Sequence, residues 1–424
     1  MSRSDWDRLQ YYSRKVKIFT AMFDDDHPGV HPLTYFRIAQ LQSSALFPSL
    51  RHLRYDLGDP SVTHIFLFLS PLLESVELFN INGVEDTVVG SFLATLSSPM
   101  LSRIVLRNGE MSVDVLKRSI VHFKHLRSLE LLDAVFMSDF ALWEALGTLP
   151  SLANFTLRAV DPHPMPPETS SSQSGGPKYF DVLESLCITG SFFLIQRLLG
   201  FIDSPCLKSI KVYPDTNCVR NNHDHKHGLF ASSMTIIASK WSRSLQNLII
   251  GLSSSGITHP IAISKCLMPL TDLHEMQTFH LRLKYRWMEN LDDDIRRLVK
   301  SWPKIIFLNL KQTLISLPTL RIIAENCPEL RHLHIQLDTS TLPPFDSSSK
   351  TLHHNLEVLN VAGVFPLDTF ALDKTTQECH IQVARHLDLF FPYLKSIELW
   401  DDTCHSSLEI RKLVKLCQDG RRVK

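Results

Sequence analysis

The sequence predicts an α/β solenoid of about 13–14 repeats, with a curved parallel sheet on its concave face and helices on its convex face. Three observations support this prediction. A short apolar phrase recurs along the whole 424-residue chain. Each copy ends in an alternation of apolar and variable residues, which is typical of a short strand with one buried face. The stretches between copies carry apolar residues at helical spacing.

The phrase is a leucine or a near equivalent, two variable residues, an apolar residue, one variable residue and another apolar residue. Its mean spacing is about 29 residues, which is typical of leucine-rich repeats, and we therefore predict an irregular leucine-rich-repeat solenoid. A weaker fourteenth copy begins at Val16. The first apolar residues of the thirteen clearer copies are Leu50, Leu73, Leu101, Leu126, Leu152, Leu183, Leu207, Leu245, Met276, Ile305, Leu330, Leu356 and Leu394.

Helices are predicted between the copies, where capping residues precede amphipathic stretches. Ser138 and Asp139 precede an apolar face that contains Leu142 and Leu146. Acidic residues 292–294 precede a second such face, as expected at the positive end of a helix. Proline stands two residues before several copies and would end the preceding helix, because it lacks a backbone N–H.

The repeats depart from the usual pattern after the strand. Leucine-rich repeats often carry Asn or Cys three residues after the last apolar position, where the side chain satisfies backbone groups in a ladder. This chain has other residues at those positions, so we expect no such ladder and an irregular, variably curved arc. The residues found there are Ile81, Gly109, Ala134, Val160, Ser191, Lys284, Thr313 and Val364.

Composition shifts suggest how the chain is divided. We predict an N-terminal helix and capping segment over residues 1–46 and the repeat solenoid over residues 47–424. Segments rich in Pro, Ser, Asn or His, or longer than the usual spacing, predict loop insertions on the solenoid. They lie near residues 161–178, 214–228, 338–355 and 364–378.

Charge and hydropathy exclude several classes of ligand and location. Lys+Arg and Asp+Glu both number 44, so we expect no nucleic-acid ligand, which would require a strong basic excess. The start is polar and the apolar stretches are short, so we expect no signal peptide and no membrane span. The eight cysteines are scattered, which fits reduced thiols in an intracellular protein, cytoplasmic or nuclear. Outside a complex we expect a monomer.

The variable positions of the predicted strands point to the concave face and form the candidate binding surface. Three consecutive strands would place polar, mostly basic residues side by side, which suits an acidic or phosphorylated segment of a protein partner. The alternative is an ordinary solvated face. The candidate partner-binding residues are His280, Arg282, Asn309, Lys311, His334 and Gln336.

Aromatic residues just beyond the last apolar position could also anchor a partner. Phe79, Tyr213 and Trp400 occupy such positions, but on distant repeats. Local packing against a loop or a terminus is the alternative, and it is the interpretation that we favour.

Metal binding and catalysis have weaker support. His223, His225 and His227 alternate and could bind zinc, but without a second cluster such a set more often reflects composition. We therefore expect no metal site and no cofactor. The chain has no glycine-rich phosphate loop, no helical His-Glu-x-x-His and no nucleophile elbow, so we expect that it is not an enzyme. An enzyme hidden in the inserted loops is the remaining alternative.

The repeats resemble the leucine-rich-repeat region of F-box proteins, especially the large fungal set of F-box-like proteins. Residues 5–17, DWDRLQYYSRKVK, look like the aromatic and basic segment that follows the F-box in that set. Residues 45–53, ALFPSLRHL, look like its first clear repeat. The resemblance implies the substrate-recognition part of an SCF-type ubiquitin-ligase receptor. No F-box module precedes Trp6, so we expect binding to the SCF adaptor only if an F-box is encoded upstream. The alternative is a structural or adaptor repeat protein with no ubiquitin link.

Overall fold

The chain packs as two compact units, Met1–Leu207 and Lys208–Lys424. The computed structural model describes residues 3–21, 34, 45–58, 62–81, 86–96, 98–107, 112–134, 140–159, 179–215, 223–252, 263–283, 291–339, 342–345, 350–362, 374–399 and 405–422. Within these residues, fourteen strands follow one another in chain order in a parallel arrangement. The α/β leucine-rich-repeat fold predicted from the sequence is confirmed.

The strands of each unit are short, as the repeated phrase predicts. In the unit Met1–Leu207 they are β1 Ile18–Ala21, β2 His52–Asp56, β3 Ser75–Phe79, β4 Arg103–Arg107, β5 Ser128–Ala134, β6 Asn154–Ala159 and β7 Ser185–Gly190. In the unit Lys208–Lys424 they are β8 Ser209–Pro214, β9 Asn247–Leu252, β10 Thr278–Leu283, β11 Phe307–Ser316, β12 His332–Asp338, β13 Val358–Ala362 and β14 Ser396–Leu399.

Helices connect most of these strands, as parallel strand connections require. The first unit has a 3₁₀ helix at Val62–Phe68 and α-helices at Arg3–Ser13, Asp86–Thr95, Val113–Ile120, Phe140–Gly147 and Phe192–Phe201. The second has a 3₁₀ helix at Met268–Asp272 and α-helices at His223–Trp241, Ile263–Leu267, Asp292–Ser301, Leu317–Asn326, Lys374–Phe390 and His405–Arg422. The helix predicted from residues 292–294 begins at Asp292, and the one carrying Leu142 and Leu146 spans Phe140–Gly147.

The core is built from the apolar positions of the phrase. The thirteen residues that begin the copies are all buried, with exposures from 0% to 7%. In β5, Leu129 and Leu131 are 0% and 1% exposed, and their register neighbours across β4 and β6 are also apolar. Each strand therefore turns one face to the core, and no repeat can bury that face without its neighbours.

Backbone hydrogen bonds join consecutive repeats just before each strand. The carbonyl oxygen of Glu74 accepts the N–H groups of both Ser102 and Arg103, at 2.9 and 3.2 Å. The carbonyl oxygen of Gln277 accepts those of Ile306 and Phe307 in the same way, at 2.8 and 3.0 Å. The repetition of this pattern holds successive strands in one register.

Side chains in the turn before the strand also form a ladder between repeats. The hydroxyl of Ser98 lies 2.7 Å from the carbonyl oxygen of Leu73 and 2.9 Å from that of Pro71, one repeat earlier. The hydroxyl of Ser204 contacts the carbonyl oxygen of Leu183 at 2.7 Å. Both serines stand three residues before the first apolar residue of a copy. The turn before the strand therefore supplies side-chain contacts to the preceding repeat.

The N-terminal segment contributes a strand of its own. Residues Ile18–Ala21 of β1 pair with His52–Tyr55 of β2, and Phe19 pairs with Leu53. The weaker fourteenth copy beginning at Val16 is thereby confirmed.

The predicted insertions are described in part. Helices begin at His223 and at Lys374, within the predicted insertions 214–228 and 364–378. The described parts of residues 338–355 are irregular after β12 ends at Asp338. The predicted insertion 161–178 lies outside the described residues.

Candidate functional site

Alternate residues of the strands in the unit Lys208–Lys424 point away from the core and form what we call the open face. In β10, Phe279 and Leu281 are buried, whereas His280 between them is half-buried. In β11, Phe307 and Asn309 are half-buried on either side of buried Leu308. Because side chains alternate along a strand, the core positions fix where the open-face residues lie.

The strand pairing places one residue of each strand in a single row across the open face. Neighbours in this row are direct partners in the parallel register, so their side chains lie about 4.8 Å apart. Its members, in strand order from β8 to β14, are Lys211, Ile249, His280, Asn309, His334, Asn360 and Glu398.

The six residues predicted to bind a partner are divided by the structure. His280, Asn309 and His334 stand side by side in the row. Arg282 is exposed at the far end of β10, next to Gly251 of β9.

Lys311 and Gln336 do not pair as the spacing predicts. The register of β11 shifts between Leu310 and Leu314, so that Leu314 is the partner of Gln336. Lys311 therefore lies on a bulge, where its N–H donates to the Asn309 side chain at 3.2 Å. Gln336 is 9% exposed, which leaves little of it for a ligand. The expected side-by-side placement of Lys311 and Gln336 is wrong, because the bulge inserts residues between the two strands' matching positions.

Phe307 is the residue that sequence reasoning missed. Its ring stacks on the His280 imidazole, with centroids 4.6 Å apart and planes 7° from parallel. The rings of His334 and His332 lie 5.0 and 5.8 Å from it. Phe307 stands two residues before the row, and period-two alternation places it on the same face. We refer to His280, Arg282, Phe307, Asn309, Lys311, His332 and His334 as the β10–β12 patch.

Burial lowers the pKa values of two imidazoles of the patch, those of His280 and His334. Burial, with the charges of Arg282 and Lys211 and the neighbouring His334, lowers the pKa of His280 to about 4. Burial also lowers the pKa of His334, while Glu398 opposes that shift. At neutral pH, Arg282 and Lys311 carry positive charge in the patch.

Lys311 also feels the crowding of positive charge. Burial, together with Arg282, lowers the pKa of Lys311 to about 8, so most of this lysine is still protonated at pH 7. Within the described residues, the Nδ1 atom of His280 is buried and has no hydrogen-bond partner. The patch is thus electropositive, partly apolar and incompletely satisfied.

The predicted aromatic anchors have local packing partners. The Phe79 ring lies between the guanidinium groups of Arg54 and Arg107, 4.7 and 5.3 Å from its centroid. The Tyr213 ring covers the Cα of Gly251 so closely that a Cβ there would lie 2.5 Å from its Cδ1 atom. These contacts favour the packing interpretation for both residues. Trp400 lies outside the described residues.

Two cavities of the same unit lie away from the patch. One, of about 430 Å³, is lined by residues that precede β11 to β14, among them Arg331, Glu357 and Tyr393. The other, of about 600 Å³, lies between Phe345 and the helix Lys374–Phe390. Both are open depressions of mixed polarity, without a grouping of catalytic side chains.

The described residues contain no group of three or more His, Cys, Asp or Glu side chains placed to hold a metal ion. The backbone of His223, His225 and His227 forms the start of a helix, and their side chains lie outside the described residues. Every helix in the described ranges is too short or too polar to cross a lipid bilayer.

Comparison with known proteins gives likenesses of fold. No protein-family model matches the chain, and no curated protein matches it significantly. An internalin from Listeria monocytogenes is 14% identical, with a TM-score of 0.34 over 73% of this chain and 80% of its own. A chain in the structure of the yeast Rad7 and Elc1 complex is 14% identical, with a TM-score of 0.38 over 87% of this chain and 93% of its own.

Proposed function

We propose that this chain is a non-enzymatic recognition solenoid, which binds a segment of a partner protein on the open face of the unit Lys208–Lys424. The observation that carries the proposal is the continuous row from Lys211 to Glu398. Its residues differ in charge and shape, whereas the residues behind them are uniformly apolar. The apolar core explains the repeats, but it does not require the polar and charged side chains of the row.

The open face also has the physical properties of a recognition surface. The backbone behind it is fixed by parallel pairing on both sides, so little conformational entropy is lost when a ligand binds. His280, Asn309 and His334 are half-buried, and the rings of His280 and His334 pack on the ring of Phe307. An extended segment laid across the strands would contact several of them at once.

A finer proposal concerns the complex in which this recognition takes place. The resemblance of residues 5–17 and 45–53 to fungal F-box-like proteins supports a substrate-recognition role in an SCF-type ubiquitin ligase. Other subunits would then transfer ubiquitin. The second candidate is an adaptor or structural repeat protein with no ubiquitin link. Co-purification of the chain, expressed from its complete reading frame, with the SCF adaptor decides between them, and failure to recover the adaptor favours the second candidate.

Site-specific cross-linking tests the recognition proposal itself. A photoreactive residue placed at Asn309 should cross-link a defined partner in cells of the source organism. The same group placed at Lys300, which is exposed on the helix Asp292–Ser301, is the matched control and should not. Purified partner should reproduce the Asn309 product. Products that are the same at both positions, or none at Asn309, would remove the support for open-face recognition.

A further inference from the structure

We propose that the β10–β12 patch binds an anionic side chain of the partner segment, while an apolar or aromatic side chain next to that anion packs on Phe307. This inference rests on the proposed function and names the chemistry that the open face would recognise. A carboxylate and a phosphorylated side chain share this chemistry, and the experiment below separates them.

The first support is a difference in how cations on the two units are neutralised. In the unit Met1–Leu207, strand arginines have carboxylate partners: Arg103 pairs with Glu130 at 2.8 Å and Arg107 with Glu77 at 3.2 Å. In the described part of the unit Lys208–Lys424, neither Lys211 nor Arg282 forms an ion pair. A charge held in a fixed place without a partner is what a recognition site for an anion requires.

The second support is repulsion within the patch. Arg282 and Lys211 both disfavour the protonated form of His280, and Arg282 also disfavours the charged form of Lys311. An anion bound among these groups would reverse each of these effects. The site therefore gains more from an anion than a single exposed lysine would, because the interaction is partly shielded from water.

The third support is the ring cluster. Phe307 is half-buried, and its ring is held by imidazoles on either side, at 4.6 Å from His280 and 5.0 Å from His334. A rigid half-exposed aromatic ring is a favourable contact for an apolar or aromatic side chain. The neutral imidazoles can donate hydrogen bonds without adding charge, so they suit a partner that is both anionic and apolar.

A single-stranded nucleic acid also combines anions with flat rings, but it fits the patch less well. Binding of that kind needs a basic groove that follows several phosphates. Here the row ends at Glu398, whose carboxylate accepts from the Asn360 side chain at 3.2 Å, and the whole chain has no net charge. The basic surface is therefore short, as a peptide side chain would require.

Proton uptake gives the inference a specific signature. His280 faces Arg282 on its own strand, Lys211 on β8 and His334 on β12, and its pKa is about 4 in the free protein. A bound anion raises this pKa. If it returns to the ordinary 6.5, binding becomes about tenfold tighter at pH 5.5 than at pH 7.5. Lys311 affects binding at high pH. Because its pKa is about 8 in the free protein, it loses its charge above that pH and binding of the anion weakens.

The experiment measures binding of synthetic peptides to the full chain by calorimetry at low and physiological salt. The main probe is a glutamate-rich peptide with one central tryptophan, because its carboxylates stay ionised between pH 5.5 and 7.5. The same peptide with glutamine in place of glutamate controls for charge. A phosphoserine peptide tests the second source of the anion, and oligouridine tests the nucleic-acid alternative.

Variants link the binding to the patch. Arg282→Glu combined with Lys311→Glu should weaken binding of the glutamate peptide at least about tenfold and leave the melting temperature of the chain unchanged. Lys265→Glu combined with Lys300→Glu changes the net charge equally, on exposed helix positions, and should bind like the parent. The parent should bind the tryptophan peptide more tightly than the same peptide with alanine in place of tryptophan, and Phe307→Leu should remove this difference in affinity. His280→Asn should abolish the tightening at low pH.

The outcomes separate this inference from the proposed function. Tighter binding of the phosphoserine peptide than of the glutamate peptide at pH 7.5 would identify a phosphorylated side chain, and the reverse would identify a carboxylate. Equal binding by the patch variant and the parent, or tighter binding of oligouridine, would overturn the anionic-peptide site. If the patch variant binds the peptide like the parent but still cross-links its partner from Asn309, only the anionic-peptide site is refuted. If the parent itself gives no cross-link from Asn309, open-face recognition is refuted together with the anionic-peptide site.

Discussion

Replacing Leu129 with aspartate tests the register on which the whole fold depends. Leu129 is the second apolar residue of its copy and is completely buried. In β5 it stands between Ile104 of β4 and Phe155 of β6 as their direct register partner. A carboxylate at this position would therefore face apolar side chains on both sides, with no water and no cation beside it.

The expected cost follows from two contributions. Loss of a fully buried leucine side chain costs about 2.7–5 kcal/mol when it leaves a cavity. Aspartate fills part of that space, but its carboxyl must stay protonated in the folded state or remain charged without a partner. Each unit by which the pKa rises costs about 1.4 kcal/mol at neutral pH. We expect a total destabilisation on the order of 3–5 kcal/mol at pH 7, at the lower end if repacking is efficient.

Urea unfolding of the full chain, followed by circular dichroism, measures this cost. Hydrogen exchange at the amides of β4 to β6 then tests whether the loss of stability is centred on the first unit. Leu129→Asn is the matched neutral control. Glu130→Gln changes the next residue, which lies on the opposite face and pairs with Arg103, and should cost at most about 1 kcal/mol.

The pH dependence separates a buried carboxyl from a simple packing defect. Because burial raises the folded-state pKa of the new aspartate above its unfolded value, folding of the variant takes up a proton. Leu129→Asp should therefore recover stability relative to the parent as pH falls from 7 towards 4, whereas Leu129→Asn should not. If Leu129→Asp unfolds like the parent at pH 7, Leu129 does not face the core and the proposed register is refuted.

Three further substitutions test other contacts. Ser98→Ala should destabilise the chain by about 1–2 kcal/mol in urea unfolding, because two backbone carbonyls lose a buried hydroxyl. His354 donates a hydrogen bond to the Cys327 carbonyl and accepts one from the Leu356 N–H, and burial lowers the pKa of its imidazole. The stability that neutral His354 contributes is therefore complete above pH 6.5 and declines as the pH falls below that value. His354→Gln should flatten this pH dependence of the free energy of unfolding. Gly251→Ala should lower the melting temperature, because the new Cβ would displace the Tyr213 ring. Gly200→Ala is the control and should not lower it, because nothing lies within 4 Å of the new Cβ.

The apolar rows could be predicted from the sequence because their physical cause is local. Alternation along a strand fixes which residues are buried, and a constant phrase fixes which residues become neighbours. The row containing His280, Asn309 and His334 follows from this reasoning without coordinates, and the pairing confirms it. Even in the weaker copy that begins at Val16, Phe19 pairs with Leu53 as its position predicts.

The remaining features depend on geometry that spacing does not encode. Counting residues assumes a constant register, so it could not place Lys311 on the bulge of β11 or bury Gln336. The stacking of Phe307 on His280 depends on side-chain rotamers, although its period-two position was a usable signal. The ladder contact of Ser98 does not follow from the residues after the strand, because Ser98 lies in the turn before it.

The bulge has a consequence for how recognition by such a sheet can change. His280 is held between buried Phe279 and Leu281, so its position is set by the core and a substitution there alters the surface alone. Lys311 has no such fixed relation, because the shift after Leu310 separates it from the register of β12. The length of the bulge therefore determines where this cation lies relative to Arg282 and His280. The apolar pairing of Leu308 with Leu333 does not depend on that length, because it precedes the shift. The geometry of the anion site can thus vary without a matching change in the core, which is the freedom that a recognition surface needs.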